Sequence, residues 1–237
     1  MNNLFSAKRF LAALSLLLIF AVSCKKDSNR PNPKDEEILT KKIQEIIPAQ
    51  YLDTLKKYGL EIYGDVNPPD VQGSFSIKPH ILLESNIPGD PKGYRFNDAT
   101  IRLYDQKTED FGISLLGRHF LKDRDTSLAT AISGSGNKFT VYGRVKASQT
   151  ADNYAIVAMV ISGEKDGDNL KNIKTGIINV DASHAVAGFI PEGGARIAID
   201  ADSISTPISL QEFESSVVPA RNLSASKHAA DLLSTVH

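Results

Sequence analysis

The strongest constraint on this chain is a change of period at Val71. From there to Ala201 the apolar pattern is that of strands, most often with a period of two, and no stretch between the strands carries a helical repeat. Val71, Gly73, Phe75 and Ile77 alternate with Gln72, Ser74, Ser76 and Lys78 behind the turn Asn67-Pro68-Pro69-Asp70. Further strand patterns run over His80–Ser85, Thr100–Lys107, Phe111–Leu121, Leu128–Ser133, Lys138–Lys146, Tyr154–Ser162, Ile173–Val180 and Ala195–Ala201. Gly117 interrupts the phase of the fourth pattern, as a bulge would. Asn86–Asn97, rich in Pro and Gly, reads as a loop, while Gly134-Ser135-Gly136-Asn137 and Lys165-Asp166-Gly167-Asp168 read as hairpin turns. About nine strands with short connections and no crossover helices demand an antiparallel meander, and edge management favours closure into a lipocalin-like barrel over a β-sandwich. In Lys138–Ala147 the apolar odd positions and polar even positions predict one dry and one wet face, with Val141 inside and Thr140 in water. Tyr154–Ser162 is apolar on both faces, so it belongs at the centre of a sheet or beneath a helix.

Before Val71 the repeat is helical. Leu39, Ile43, Ile46 and Ile47 make one apolar stripe over Glu36–Tyr58, and Tyr51, Leu55 and Tyr58 continue it beyond Pro48. Pro48 lacks an N–H and clashes with the preceding turn, so the helix breaks there and a second one opens. Gly59 suits the left-handed position that ends a helix, with Leu60 placed against Leu55 and Lys56 and Lys57 at the negative end of the dipole. The polar face is mixed rather than basic, which favours packing on a sheet over lying on a membrane.

The N-terminus speaks to location. Lys8 and Arg9 precede the apolar run Phe10–Val22, about 13 residues and so well short of the ~20 of a spanning helix; small Ser23 and the single cysteine, Cys24, follow. Phe20-Ala21-Val22-Ser23-Cys24 resembles a bacterial lipobox, which implies diacylation of Cys24, cleavage before it so that Cys24 becomes the mature N-terminus, and attachment of the chain to a membrane. Lys25 after the cysteine favours the outer membrane by resemblance to the sorting rule of enteric bacteria. The expected organisation is a signal peptide over 1–23, a lipidated flexible tether over 24–35, a helix-plus-β domain over 36–202 and a loosely packed C-terminal tail over 203–237.

With Cys24 committed to lipid the mature domain has no other thiol, which excludes disulfides, a cysteine zinc site and a thiol nucleophile. A net charge of −1 argues against a nucleic-acid partner, and the absence of Trp weakens a glycan platform. Gly134-Ser135-Gly136 fails the nucleophile-elbow spacing because residue 133 is Ser, and Asp166-Gly167-Asp168-Asn169 lacks the closing Glu of a calcium loop because residue 177 is Ile. The pairs Asp200/Asp202 and Asp123/Asp125 read as solvated strand ends before cation ligands. His80, His119, His184, His228 and His237 show no metal-binding spacing, and no phosphate-binding glycine loop is present, so no cofactor, metal or catalytic residue is expected.

Asn67-Pro68-Pro69-Asp70-Val71-Gln72-Gly73-Ser74-Phe75, behind Tyr51-Leu52-Asp53-Thr54-Leu55, resembles uncharacterised cell-envelope lipoproteins of Bacteroidota, as does Ile132-Ser133-Gly134-Ser135-Gly136-Asn137-Lys138-Phe139-Thr140. The resemblance implies an outer-membrane lipoprotein with a β-rich, lipocalin-like domain, and it brings no catalytic residues. Three functions stay open. The first is a barrel holding a small apolar or amphipathic ligand against inward-facing Phe75, Ile77, Phe139, Val141, Val145, Ile197 and Ile199. The second is an accessory lipoprotein with a solid interior that docks on an envelope protein. The third is a hydrolase with carboxylates gathered by the fold.

Overall fold

The computed structural model describes residues 32–121, 124–186, 188–215 and 232–233, without the side chains of 124–126. The signal segment, the lipobox with Cys24, the tether up to residue 31, the Asp123/Asp125 pair, His228 and His237 lie outside what is described.

Helix α1 spans Pro33–Ile46, opening three residues before the expected Glu36. Asn32 supplies the reason: its side chain accepts the Lys34 N–H at 3.2 Å, Pro33 takes the first helical position, and Asp35 and Glu36 complement the dipole. The chain breaks at Ile47–Pro48, as the missing proline N–H requires, and α2 follows over Ala49–Lys57. It ends as the sequence predicts, with Gly59 at φ 95°, its N–H on Lys56 O at 3.0 Å and the Leu60 N–H on Leu55 O at 3.1 Å.

Ten strands follow: β1 (Gly73–Ile77), β2 (His80–Ser85), β3 (Ala99–Tyr104), β4 (Ser114–Arg118), β5 (Arg124–Ser135), β6 (Lys138–Ser148), β7 (Tyr154–Asp166), β8 (Asn169–Asp181), β9 (Ala195–Asp200) and β10 (Ile204–Ser205). All described pairings between them are antiparallel. They form a three-stranded sheet, β1-β3-β4, and a seven-stranded sheet ordered β2-β9-β8-β7-β6-β5 with β10 added on β8. The large sheet is covered on both sides. Ile46, Ile47, Leu55 and Leu60 pack on Tyr142, Ala158, Val160 and Ile197, while Phe75, Ile101 and Leu103 of the small sheet share a core with Val141, Val157, Met159 and Ile161. Three layers result: helices, large sheet, small sheet. Tyr154–Ser162 is apolar on both faces because β7 is the middle of that stack.

No continuous ladder closes these strands into a barrel among the described residues. The two sheets are instead stitched at their sides. Along β4 and β5, Ile132 N–H reaches Phe111 O at 2.9 Å, Ser127 Oγ donates to Leu115 O at 3.2 Å, and Thr130 Oγ1 donates to Ile113 O. Beyond β10, Ser76 N–H binds Thr206 O at 3.0 Å and Ile208 N–H binds Ser74 O at 2.8 Å.

Three expectations need correction. Gly117 is not a bulge: β4 runs in unbroken register against β3, and the missing Cβ makes room for Phe120, whose Cβ would lie 3.2 Å from one. The bulges fall at Leu82/Glu84, Ser127/Ala129, Ile156/Val157 and Ser162/Glu164. Secondly, the polar face of β6 is wet only in part: Lys138 is exposed and Arg144 and Lys146 are half-buried, but Thr140 is not in water. Thr140, Ser162 and Ser133 are buried because residues 63–67 cross over the β5–β6 hairpin: Tyr63 N–H donates to Thr140 Oγ1 at 2.9 Å, Ser133 Oγ donates to Tyr63 O at 2.5 Å and Asn67 N–H to Gly134 O at 3.0 Å. Thirdly, the described parts of the expected tail are integrated. β10 joins the large sheet, helix α3 (Leu210–Ser215) buries Phe213, and Leu232 and Leu233 are fully buried in the inter-sheet core. Scarce apolar residues in a Ser-rich stretch looked too few to fold, yet each of these three is spent on packing.

Candidate functional site

The seven residues expected to line a ligand cavity do not share one face. Phe75, Ile77, Phe139, Val141 and Val145 are buried together between the sheets. Ile197 lies on the opposite face of the large sheet, beneath the helices, and Ile199, two residues on in the same strand, shares that face and is half-buried. The sheets meet with little space between them: a cavity of about 20 Å³, bordered by Leu115, Phe120, Ser127, Val145 and Met159, is room for a single water. Small-molecule sites occupy roughly 300 Å³ or more.

Larger spaces lie on the outside, along the seam of β4 and β5. A furrow of about 660 Å³ runs between Lys42 and Glu45 of α1, Asp105, Lys107 and Asp110 of the β3–β4 loop, and Thr130. A second, of about 400 Å³, continues from Ser114, Ala129 and Thr130, which border both, to Tyr104, Leu116 and Leu128. Local structure explains it. The bulge between Ser127 and Ala129 breaks the alternation of β5 and turns Leu128 outward, leaving it 54% exposed, while the seam is held by isolated bonds rather than a ladder. At the head of the furrow Lys42 Nζ donates to Asp110 O at 2.8 Å and to its carboxylate at 3.1 Å. Burial pushes the Asp110 carboxyl upward, but the bonds from Lys42 and the Gly112 N–H outweigh it and hold the pKa below its ordinary value. Nothing in the sequence announced this furrow, because it arises from strands that are distant in the chain and meet without pairing.

The polar candidates are occupied structurally. Asp200 is buried, accepting the Ser205 hydroxyl at 2.5 Å and the Lys78 N–H at 3.2 Å, and burial raises its pKa to about 6 with Asp202 adding to the shift. Asp202 itself accepts the Ile204 N–H at 2.9 Å. The pair therefore shapes the β9–β10 turn, and no cluster of three or more His, Cys, Asp or Glu suited to a metal exists among the described residues. His80 is buried against the rings of Phe96 and Phe120 with Nε2 3.1 Å from Thr175 Oγ1; burial lowers its pKa to about 4, so it is neutral at pH 7. His184 stacks on Tyr154 at 4.4 Å, and His119 sits in a turn at φ 56°. The hairpin turns are tighter than expected, Gly136-Asn137 and Gly167-Asp168, with Gly136 at φ 62° and Gly167 at φ 57°, while Gly134 and Ser135 end β5 and Asp166 ends β7.

One buried ion pair was not foreseen. Arg196 Nε and Nη2 donate to the two Asp90 carboxylate oxygens at 2.7 and 2.8 Å, and both side chains are almost wholly buried. An arginine on the core-facing side of an otherwise apolar strand, with Ala198 two residues on, was the available signal: such a charge must find a buried acid. Asp90 lies in the stretch Asn86–Asn97, which reads from sequence as a loop without naming a partner for it.

Among the described residues no helix is long and apolar enough to cross a membrane, which says nothing about strands. No family model, curated protein or solved structure matches the chain.

Proposed function

We propose that the protein is an outer-membrane lipoprotein, anchored by lipid on Cys24, whose β domain is a non-enzymatic accessory module docking on an envelope protein through its outer surface. The observation that carries this choice is the dense packing of Phe75, Phe139, Val141 and Met159 between the sheets, where the cavity beside Leu115 and Phe120 measures about 20 Å³. The furrow beside Leu128 and Lys42, with apolar side chains at one end and charged ones at the other, is the surface proposed to meet the partner. The proposed anchor rests on Lys8 and Arg9, the short apolar run and Ser23-Cys24.

A lipocalin-like barrel holding a small apolar or amphipathic ligand is the second reading. What favours it is that stitches on both sides bring the two sheets towards closure. It requires a cavity to open where Phe75, Phe139 and Val141 now pack. A carboxylate-dependent hydrolase has less support, since Asp200 and Asp202 are committed to a turn.

The anchor is tested by Cys24→Ala. Wild-type protein is expected to take up labelled palmitate and partition into the detergent phase; the variant takes up none and stays in the aqueous phase with an unchanged melting curve. Partitioning that survives the substitution overturns the lipoprotein reading.

A further inference from the structure

The furrow lies where two open sheet edges face each other. Among the described residues β4 ends the small sheet and pairs on one side only, with β3, and β5 ends the large sheet and pairs only with β6. An open edge presents main-chain N–H and C=O groups in a row and is a template for another strand, which proteins usually guard with lysine, proline or a covering segment. Ser127–Ser135 of β5 carries no charged residue and no proline, and neither does Ser114–Gly117 of β4. The bulge between Ser127 and Ala129 turns Leu128 outward beside Leu116 and Tyr104.

Side-chain hydroxyls hold this part of the seam. Thr130 Oγ1 donates to Ile113 O, and Ser127 Oγ donates to Leu115 O at 3.2 Å. Those carbonyls lie two residues apart, so they face the same way, as the acceptors for a neighbouring strand do. The hydroxyls thus stand where the N–H groups of a strand would be. On β5 the outward N–H groups of Gly134 and Ile132 are used, on Asp65 O at 2.7 Å and Phe111 O at 2.9 Å. Thr130 comes next in the same alternation, at the furrow, and no described ladder engages that side of it.

We propose that this seam is a strand-addition site for one extended segment of the envelope partner, with aliphatic side chains at alternate positions. The segment pairs with the outer edge of β5 around Thr130, takes over the β4 carbonyls from the two hydroxyls, and sets its aliphatic side chains against Leu116 and Leu128. The inference rests on the docking role proposed for the furrow and adds the chemistry of what docks there.

The test uses the full chain in detergent and a fluorescent octapeptide of alternating threonine and valine between terminal lysines. Wild type is expected to bind it saturably and one-to-one. The same peptide N-methylated at its three valines keeps every side chain but loses the N–H groups of one edge, and is expected to bind at least about 10-fold more weakly. Leu128→Lys replaces an exposed side chain and is expected to weaken binding of the unmethylated peptide by at least about 5-fold, with an unchanged melting curve. No saturable binding, equal binding of the two peptides, or binding untouched by Leu128→Lys overturns the proposal. A photo-reactive benzophenone amino acid at position 128, irradiated in intact cells, tests the docking role separately. A cross-link to an envelope protein together with failure of the peptide overturns strand addition and leaves docking standing. Peptide binding without any cross-link overturns docking, and with it the assignment of the segment to an envelope partner.

Discussion

Asp200 and His80 are two residues whose environment changes their chemistry strongly, and Asp200 gives the clearer test. Its carboxyl is buried beside Asp202 and has a pKa near 6, against an ordinary value of 3.8. A folded-state pKa raised in this way means that the native protein holds a proton the unfolded chain has released between those two values. The sign follows: stability from this group is fullest below pH 3.8 and is lost as pH rises through 6. Asp200→Asn keeps an acceptor for Ser205 or Lys78 and removes the titration. Urea unfolding at pH 5 and pH 7.5 is expected to show wild type losing about 1–2 kcal/mol more than the variant over that interval. An identical pH dependence in the two proteins contradicts the buried, proton-binding carboxyl.

Elements were legible where local pattern decided them. The helix break at Pro48, the glycine stop at Gly59 and the existence of each long strand followed from period, proline chemistry and turn residues, although β5 and β8 begin four residues before the expected Leu128 and Ile173 and β7 runs four beyond Ser162. The Cβ of a residue replacing Gly59 would meet nothing within 4 Å, so the penalty at that atom is strain at φ 95° and not a clash. Gly59→Val is therefore expected to cost about 1–2 kcal/mol in a thermal melt. What pattern could not supply was long-range covering. Lys138–Ala147 alternates as a half-exposed strand, yet Tyr63 and its neighbours close over the polar side and consume Thr140 and Ser133 in hydrogen bonds. Alternation reports which face is apolar, and a polar face is wet only when no segment crosses it. Thr140→Asp is thus expected to destabilise by about 1–3 kcal/mol, because it buries a carboxylate whose donors are the Tyr63 N–H and the Ser162 hydroxyl, and Val141→Asp, set among apolar side chains, by more. A Thr140→Asp unfolding curve matching wild type would mean that residues 63–67 do not cover the strand. The same blindness hid the furrow and the Arg196–Asp90 pair, each made by residues that only the tertiary fold brings together.

At the scale of the whole molecule the account turns on a large sheet buried on both faces, by helices on one side and a smaller sheet on the other. Among the described residues the space between the sheets is closely packed, and the proposed docking role places the protein's interactions on its outer surface. A fluorescent fatty acid titrated into the full chain above the detergent's critical concentration measures this most directly, with Val141→Asp as the companion variant. The filled interior predicts no saturable one-to-one binding beyond that of detergent alone, and no difference between the two proteins. Saturable one-to-one binding to wild type that disappears in a folded Val141→Asp variant would contradict it, because the ligand would then have to lie between the sheets.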